Sequence, residues 1–195
     1  EYKTKPYQHQ SDVLKRCWNK VNWAFLMEMG TGKSKVCIDN AAILYEKKEI
    51  DTFIVIAPKG VLRNWANLEI PAHLPDRIQK DVAVWSPAST KTNKEKLNGF
   101  LTPSEVFRVF LMNVEALSTN KGKKYLEALL GASTAFLAVD ESTAIKSPKA
   151  RRTKALIKLG KLAKYKRILT GSPVTRSPLD LWAQCSFMDE SLLGD

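Results

Sequence analysis

Short apolar runs rich in Val, Ile, Phe and Leu alternate along this chain with longer stretches whose apolar residues recur at helical spacing. Runs without polar alternation suit strands buried on both faces, and strands that alternate with helices suit a parallel sheet. The pattern predicts strands near Ala24–Met27, Phe53–Ala57, Val82–Trp85, Val106–Met112, Phe136–Val139 and Arg167–Leu169. That makes about six, an ordinary sheet size. Between them, Asp12–Lys20 sets Val13, Leu14, Cys17 and Trp18 on one face, Ser34–Lys47 follows a glycine-rich turn, and Lys149–Leu162 carries Ala155, Leu156, Leu159 and Leu162 as an apolar stripe. These stripes are core positions. The segment from Pro87 to Pro103 is polar, lysine-rich and bracketed by prolines, so it reads as a surface excursion with a solvated charged face. No repeat, low-complexity tract or linker interrupts the pattern. The expected fold class is α/β, a mostly parallel sheet flanked by helices.

A chain of 195 residues suffices for one such lobe with an ordinary core. Lys and Arg total 31 against 20 acidic residues, a formal charge of +11. Such an excess suits a polyanionic partner such as nucleic acid, although solubility alone also accounts for it. The three cysteines, Cys17, Cys37 and Cys185, are odd in number, far apart and form no CxxC pair. They fit a reducing cytoplasm and argue against a zinc site or a disulfide framework. No apolar run approaches the roughly 18 residues of a spanning helix, and "EYKTKPYQHQ" has no apolar signal core, so a cytoplasmic protein that enters no membrane is expected. The chain opens on Glu1 rather than Met, as an excised segment of a longer chain would.

Chemistry enters with "MEMGTGKSKV", residues 27 to 36. A phosphate loop works because backbone N–H groups and a helix N-terminus converge on the anion, while a lysine adds charge and a hydroxyl ligates magnesium. Gly30, Thr31, Gly32, Lys33 and Ser34 supply these parts in order, although Met27 stands where the general signature has a further glycine. An apolar run precedes the loop and a helical stretch and "TFIVIAP" follow it, the strand, loop, helix, strand setting that such a loop requires. Lys33 is expected on the β and γ phosphates and Ser34 on Mg²⁺.

A second anchor is "AFLAVDEST", where an apolar run ends in Asp140 and Glu141. Ligands of parallel sheets sit beyond the carboxyl ends of the strands, so this pair and the loop should share one edge. Phosphoryl transfer to water needs a carboxylate near the metal and a group that orients or deprotonates the water; Asp140 suits the first task and Glu141 the second. A third anchor is "KRILTGSPVTRSPLDLW", a strand followed by Thr170, Gly171 and Ser172 and then a helix from about Ser177. Alone, that turn would carry no function.

In order, the chain carries "PYQHQ", "MGTGKS", "VIAPKGVLRNW", "LMNVEAL", "VDEST" and "ILTGSPV". The series, spanning roughly residues 2 to 190, closely resembles the first RecA-like lobe of superfamily 2 helicases, and within them the Swi/Snf-type double-stranded DNA translocases. The resemblance implies a three-layer P-loop lobe with helices on both faces of the sheet, covering residues 1–195, with ATP and Mg²⁺ as cofactors. It implies that Gln8 reads adenine with Tyr7 beside it, Gln10 being the substitute. It implies that Lys59 and Arg63 grip a nucleic-acid backbone, that Asn113 in "NVEAL" faces DNA, and that Thr170, Gly171 and Ser172 couple hydrolysis to movement between lobes. Lys146 stands where relatives place a basic residue.

The pattern departs from remodelling relatives at Ser142 and Thr143, since a His usually stands two residues after the Asp-Glu pair. "DEST" looks like compact phage-borne or bacterial members; a phage-encoded one would act in its host's cytoplasm. Residues 1–195 are expected to hold one lobe, whereas superfamily 2 motors hold ATP between two, so a second lobe is expected in a longer chain. The expectation is a monomeric ATP-binding lobe of a DNA-dependent ATPase that acts on duplex DNA when paired with that second lobe, and that hydrolyses ATP weakly by itself. Two alternatives stand beside it: a nucleic-acid-binding module with ATP as ligand only, and a P-loop enzyme of another kind. "NKVN", "NKEK" and "NKGK" lack the aspartate of a guanine motif, which disfavours a GTPase.

Overall fold

Thr52–Ala57 is buried along its whole length, and its side chains divide by parity: Phe53, Val55 and Ala57 join one apolar cluster, Ile54 and Ile56 another. That alternation is what a strand covered on both faces produces. The computed structural model describes residues 1–87, 90–141, 147, 149–172, 179–189 and 191. In chain order its elements are α1 (Gln8–Cys17), β1 (Asn22–Leu26), α2 (Lys33–Glu46), β2 (Thr52–Ala57), α3 (Lys59–Asn64), a π-helical turn (Trp65–Glu69) and α4 (Ile70–His73). There follow β3 (Lys80–Val84), α5 (Lys91–Gly99), β4 (Phe107–Asn113), a 3₁₀ turn (Val114–Ser118), α6 (Asn120–Gly131), β5 (Ala135–Asp140), α7 (Arg151–Gly160), β6 (Tyr165–Thr170) and α8 (Leu179–Met188).

All neighbouring strands pair parallel, in the order β1-β6-β5-β2-β4-β3. The cluster on one face joins the sheet to α1, α2 and residues 62 to 74, and the cluster on the other joins it to α5, α6, α7 and Phe187 and Met188 of α8. The expected three-layer α/β lobe with a parallel sheet is therefore the observed one, matching the RecA-like arrangement. Arg167, fully buried in β6, ties the layers at one end. Its Nε donates to Asn40 Oδ1 (3.0 Å), its Nη2 to Cys17 O (3.0 Å) and its Nη1 to Val21 O (3.1 Å), with the Phe136 ring 5.0 Å from the guanidinium carbon. Burial lowers its pKa to about 10, which leaves it charged at neutral pH.

Several boundaries differ from expectation. The first helix begins at Gln8, four residues before the predicted start at Asp12, because Tyr7 N–H donates to Gln10 Oε1 (3.0 Å) and closes the first turn. α7 ends at Gly160, so Leu162 falls outside the stripe and is 50% exposed. The Pro87–Pro103 excursion contains α5, capped by Thr90, whose Oγ1 accepts from Asn93 N–H. Its charged face is solvated as expected, but Leu97 and Phe100 are buried, and Tyr125 Oη and Arg108 Nη1 donate to Leu97 O (2.7 Å) and Phe100 O (2.6 Å). The helices from 59 to 73 and α6 were not expected. The predicted helix start at Ser177 lies outside the described residues.

Candidate nucleotide and nucleic-acid site

Because all strands run the same way, their carboxyl ends lie along one edge. The register pairs Leu26 with Thr170, Leu169 with Asp140, Ile56 with Val139 and Ala57 with Asn113. Along that edge stand, in turn, the glycine loop after β1, Thr170-Gly171-Ser172 after β6, Asp140-Glu141 after β5, the Lys59–Asn64 helix after β2 and Asn113 at the end of β4. The order of these motifs in space differs from their order in sequence, and only the sheet topology brings them together.

The loop is built on two glycines with positive φ, Gly30 at +80° and Gly32 at +83°. Gly32 is the left-handed cap from which α2 departs, and a Cβ placed there would lie 2.3 Å from Gln10 Nε2. Thr31 turns the loop by donating from Oγ1 to Glu28 O (2.7 Å). Its own carbonyl accepts from Gln10 Nε2 (3.0 Å) and lies 3.2 Å from His9 Nε2. Lys33 Nζ donates to Met27 O and Glu28 O, both at 3.0 Å, so the lysine crosses the mouth of the loop. A Cβ at Gly171 would meet Met27 O at 3.4 Å, which places the Thr170-Gly171-Ser172 turn against the same loop. Ser172 N–H donates to Thr170 Oγ1 (3.2 Å).

Asp140 is 7% exposed. Its Oδ1 accepts from Glu141 N–H (2.9 Å) and its Oδ2 from Trp65 Nε1–H (2.7 Å). Burial raises its pKa; the Trp65 and Glu141 bonds, with the positive charge of Lys33, oppose that rise, while the Glu141 charge adds to it. Of these influences the charge of Lys33 is the smallest. Glu141 has φ +48°, a conformation that non-glycine residues adopt uncommonly and that concentrates at functional sites. The hydroxyl of Ser34 and the carboxylate of Asp140 are oxygen donors of the kind Mg²⁺ takes, which is held through one or two carboxylates plus substrate phosphates and waters. The described residues contain no cluster of three or more His, Cys, Asp or Glu that could hold a metal by themselves.

A cleft of ≈ 590 Å³ opens beside the loop, lined among others by Lys5, Pro6, Tyr7, Gln8, Lys35 and His73. That volume lies within the usual range for small-molecule sites. Tyr7 and Gln8 are both exposed; Gln8 Nε2 donates to Asp12 Oδ1 (2.8 Å), whereas Gln10 is buried and braces the loop. Lys59 and Arg63 are exposed on α3, and half-buried Asn113 donates from Nδ2 to Glu115 Oε2 (3.0 Å). Ser142, Thr143 and Lys146 lie outside the described residues. Trp65 and His9 fall inside the motifs "VIAPKGVLRNW" and "PYQHQ" but are given no role by them: each makes a contact that only the fold creates, 75 residues away from Asp140 in the first case and 22 from Thr31 in the second.

A family model described as the SNF2-related domain matches residues 7–195. The chromatin-remodeling ATPase INO80 of Arabidopsis thaliana is 29% identical over 183 residues, which cover 90% of this chain and 11% of the relative. The protein of the same name from Cryptococcus neoformans var. neoformans serotype D is 30% identical over 173 residues, 86% of this chain and 9% of the relative. Among solved structures, the Sulfolobus solfataricus SWI2/SNF2 ATPase core in complex with dsDNA superposes with a TM-score of 0.75 at 21% identity, covering 99% of this chain and 37% of the other. The UvsW helicase of bacteriophage T4 gives a TM-score of 0.66 at 14% identity, covering 95% and 58%. Both structural likenesses establish the fold, and the chain spans only a small part of the curated relatives' length. On the match of the family model along almost its whole length, the chain belongs to the SNF2-related domain family.

Proposed function

We propose that this chain is the ATP-binding lobe of a helicase-like, DNA-dependent ATPase, which hydrolyses ATP with Mg²⁺ to move on or remodel duplex DNA once paired with a second RecA-like lobe. The observation that carries the proposal is the meeting of the glycine loop and Asp140 at one sheet edge, set by the parallel register of β1, β6 and β5. In this reading Gly30, Thr31 and Gly32 would cradle phosphates, Lys33 would exchange the Met27 and Glu28 carbonyls for the β and γ phosphates, and Ser34 and Asp140 would hold Mg²⁺, which when bound would supply charge neutralisation. Glu141 orients the attacking water or takes its proton. Tyr7 and Gln8, on the wall of the adjacent cleft, meet the adenine, whose edge requires a donor and an acceptor together.

Lys59, Arg63 and Asn113 stand further along the same edge and would contact a DNA backbone rather than read bases. Thr170, Gly171 and Ser172, packed against the loop, would pass the state of the nucleotide to the second lobe. That lobe would supply the arginines that neutralise transition-state charge. The protein acts as a monomer in this reading. Its free cysteines suit a reducing compartment such as the cytoplasm, a host's if the protein is phage-encoded. Among the described residues no helix is long and apolar enough to cross a membrane.

Titration of the chain with Mg-ATP, wild type against Lys33→Ala, with and without duplex DNA, tests the proposal. Binding that Lys33→Ala removes without loss of fold is expected, with affinities for ATP and DNA that depend on each other. Wild-type ATP affinity in the variant would sink the cradle. DNA binding indifferent to ATP would favour a passive module.

A further inference from the structure

Trp65 is fully buried, and its indole N–H, which can only donate, finds its acceptor in Asp140 Oδ2 at 2.7 Å. The ring is fixed independently of that bond. It lies edge-on to Phe53 of β2, with centroids 6.2 Å apart and planes at 70°, inside the cluster that joins the sheet to α2 and α3. Asp140 Oδ1 is fixed by the Glu141 N–H, so each carboxylate oxygen accepts one protein donor. An ionised carboxylate has about four lone-pair positions, and this leaves two of them for a cation. The carboxylate is thus held in plane by one bond from its own chain turn and one from a distant rigid ring.

The local backbone around Trp65 is also irregular. α3 carries Lys59 and Arg63 on its exposed side and passes directly into a π-helical turn that starts at Trp65. Such turns are rare and occur frequently at functional sites. Here the turn lies where a surface helix meets the buried carboxylate, so displacement of α3 would move the indole and, through it, Asp140.

We propose that Trp65 is a positioning residue for magnesium: it orients Asp140 through Oδ2 and links α3 mechanically to that carboxylate. The inference rests on the reading of Asp140 as a metal ligand given above. Groups that hydrogen-bond a ligating carboxylate typically change metal affinity or activity about 10- to 100-fold when removed. Trp65→Phe keeps an aromatic ring beside Phe53 and removes the donor together with part of the buried ring volume.

The test measures affinity for a fluorescent ADP analogue in EDTA and then against rising Mg²⁺, for wild type, Asp140→Asn and Trp65→Phe. Expected is equal affinity of wild type and Trp65→Phe in EDTA, with the Mg²⁺ concentration at half-effect raised about tenfold or more in the variant. In parallel, the indole N–H resonance of Trp65 in the wild-type chain, assigned by replacing each of the other four tryptophans in turn, should move when Mg²⁺ joins bound ADP and stay in place with ADP alone. That measurement stands even if Trp65→Phe fails to fold. An Mg²⁺ effect that survives Asp140→Asn would overturn the metal-ligand reading and this inference with it. Loss of the effect in Asp140→Asn, combined with an unchanged half-effect in Trp65→Phe or an immobile indole signal, would overturn the role of Trp65 alone.

Discussion

Gly32 combines two constraints that no other residue satisfies. Its φ of +83° costs an alanine about 1–2 kcal/mol, and the space a Cβ would take belongs to Gln10 Nε2, 2.3 Å from it. Gln10 in turn accepts from Tyr7 N–H at the start of α1 and donates to Thr31 O in the loop. One glutamine therefore sets both the helix start and the loop, and the glycine makes room for it. Gly32→Ala should abolish nucleotide binding and lower the melting temperature by several degrees, at roughly 2–4 °C per kcal/mol for a chain of this size. In a Gln10→Ala background the steric part disappears and only the backbone cost remains. Thermal melts of the four proteins should give a coupling energy of about 0.5–3 kcal/mol; additivity would show that the glutamine does not constrain the glycine.

At the scale of elements, the arm of residues 1–7 is attached by few contacts. Thr4 Oγ1 and His73 Nδ1 are 2.8 Å apart, Lys3 pairs with Asp76, and Lys35 Nζ sits 5.5 Å from the centroid of the Tyr2 ring. Burial lowers the His73 pKa, Glu69 and Asp39 pull it upward and Lys35 pushes it down, with the net result below the ordinary 6.5. The sign follows: with the folded pKa below the unfolded one, the contribution is fully present above about pH 6.5 and is lost as pH falls from there toward the folded value. Hydrogen exchange of the arm, normalised to intrinsic rates, should therefore accelerate between pH 7.5 and 5.5 in the wild type. The acceleration should disappear in His73→Asn; persistence there would assign it to another group. This attachment was not legible in the sequence, whereas the sheet was. β2, β4 and β5 are buried on both faces, so their runs are almost continuously apolar, and the glycine loop and the Asp-Glu pair follow apolar runs directly. Residues 59 to 73 do carry a helical stripe, Leu62, Ala66, Ile70 and Leu74 recurring four apart with Trp65 beside them in one cluster, but Pro71 suggests a break and the π-helical turn at Trp65–Glu69 has no sequence signal of its own. α6 was legible in principle, with Leu126, Leu129 and Leu130 buried at helical spacing after a Thr119 cap.

At the scale of the molecule, the question is what a formal charge of +11 does. Exposed lysines on α5 and α6 face solvent on the same side of the sheet as one cluster, while Lys59 and Arg63 stand at the edge that carries the nucleotide motifs. A general excess of charge and a specific backbone grip make different demands on salt dependence. If binding came from net charge alone, removing any lysine would weaken it by a similar small amount. If α3 grips phosphates, Lys59→Ala and Arg63→Ala should each reduce the slope of log K against log salt by about 1 on duplex DNA, the release of one counterion per contact. The loss should be the same for unrelated duplex sequences, because phosphate contacts carry no base information. Lys94→Ala on α5 serves as the charge-matched control and should leave the slope unchanged. Equal effects from the three variants would assign the affinity to the overall field, and α3 would lose its claim to the backbone, although the nucleotide half of the edge would stand.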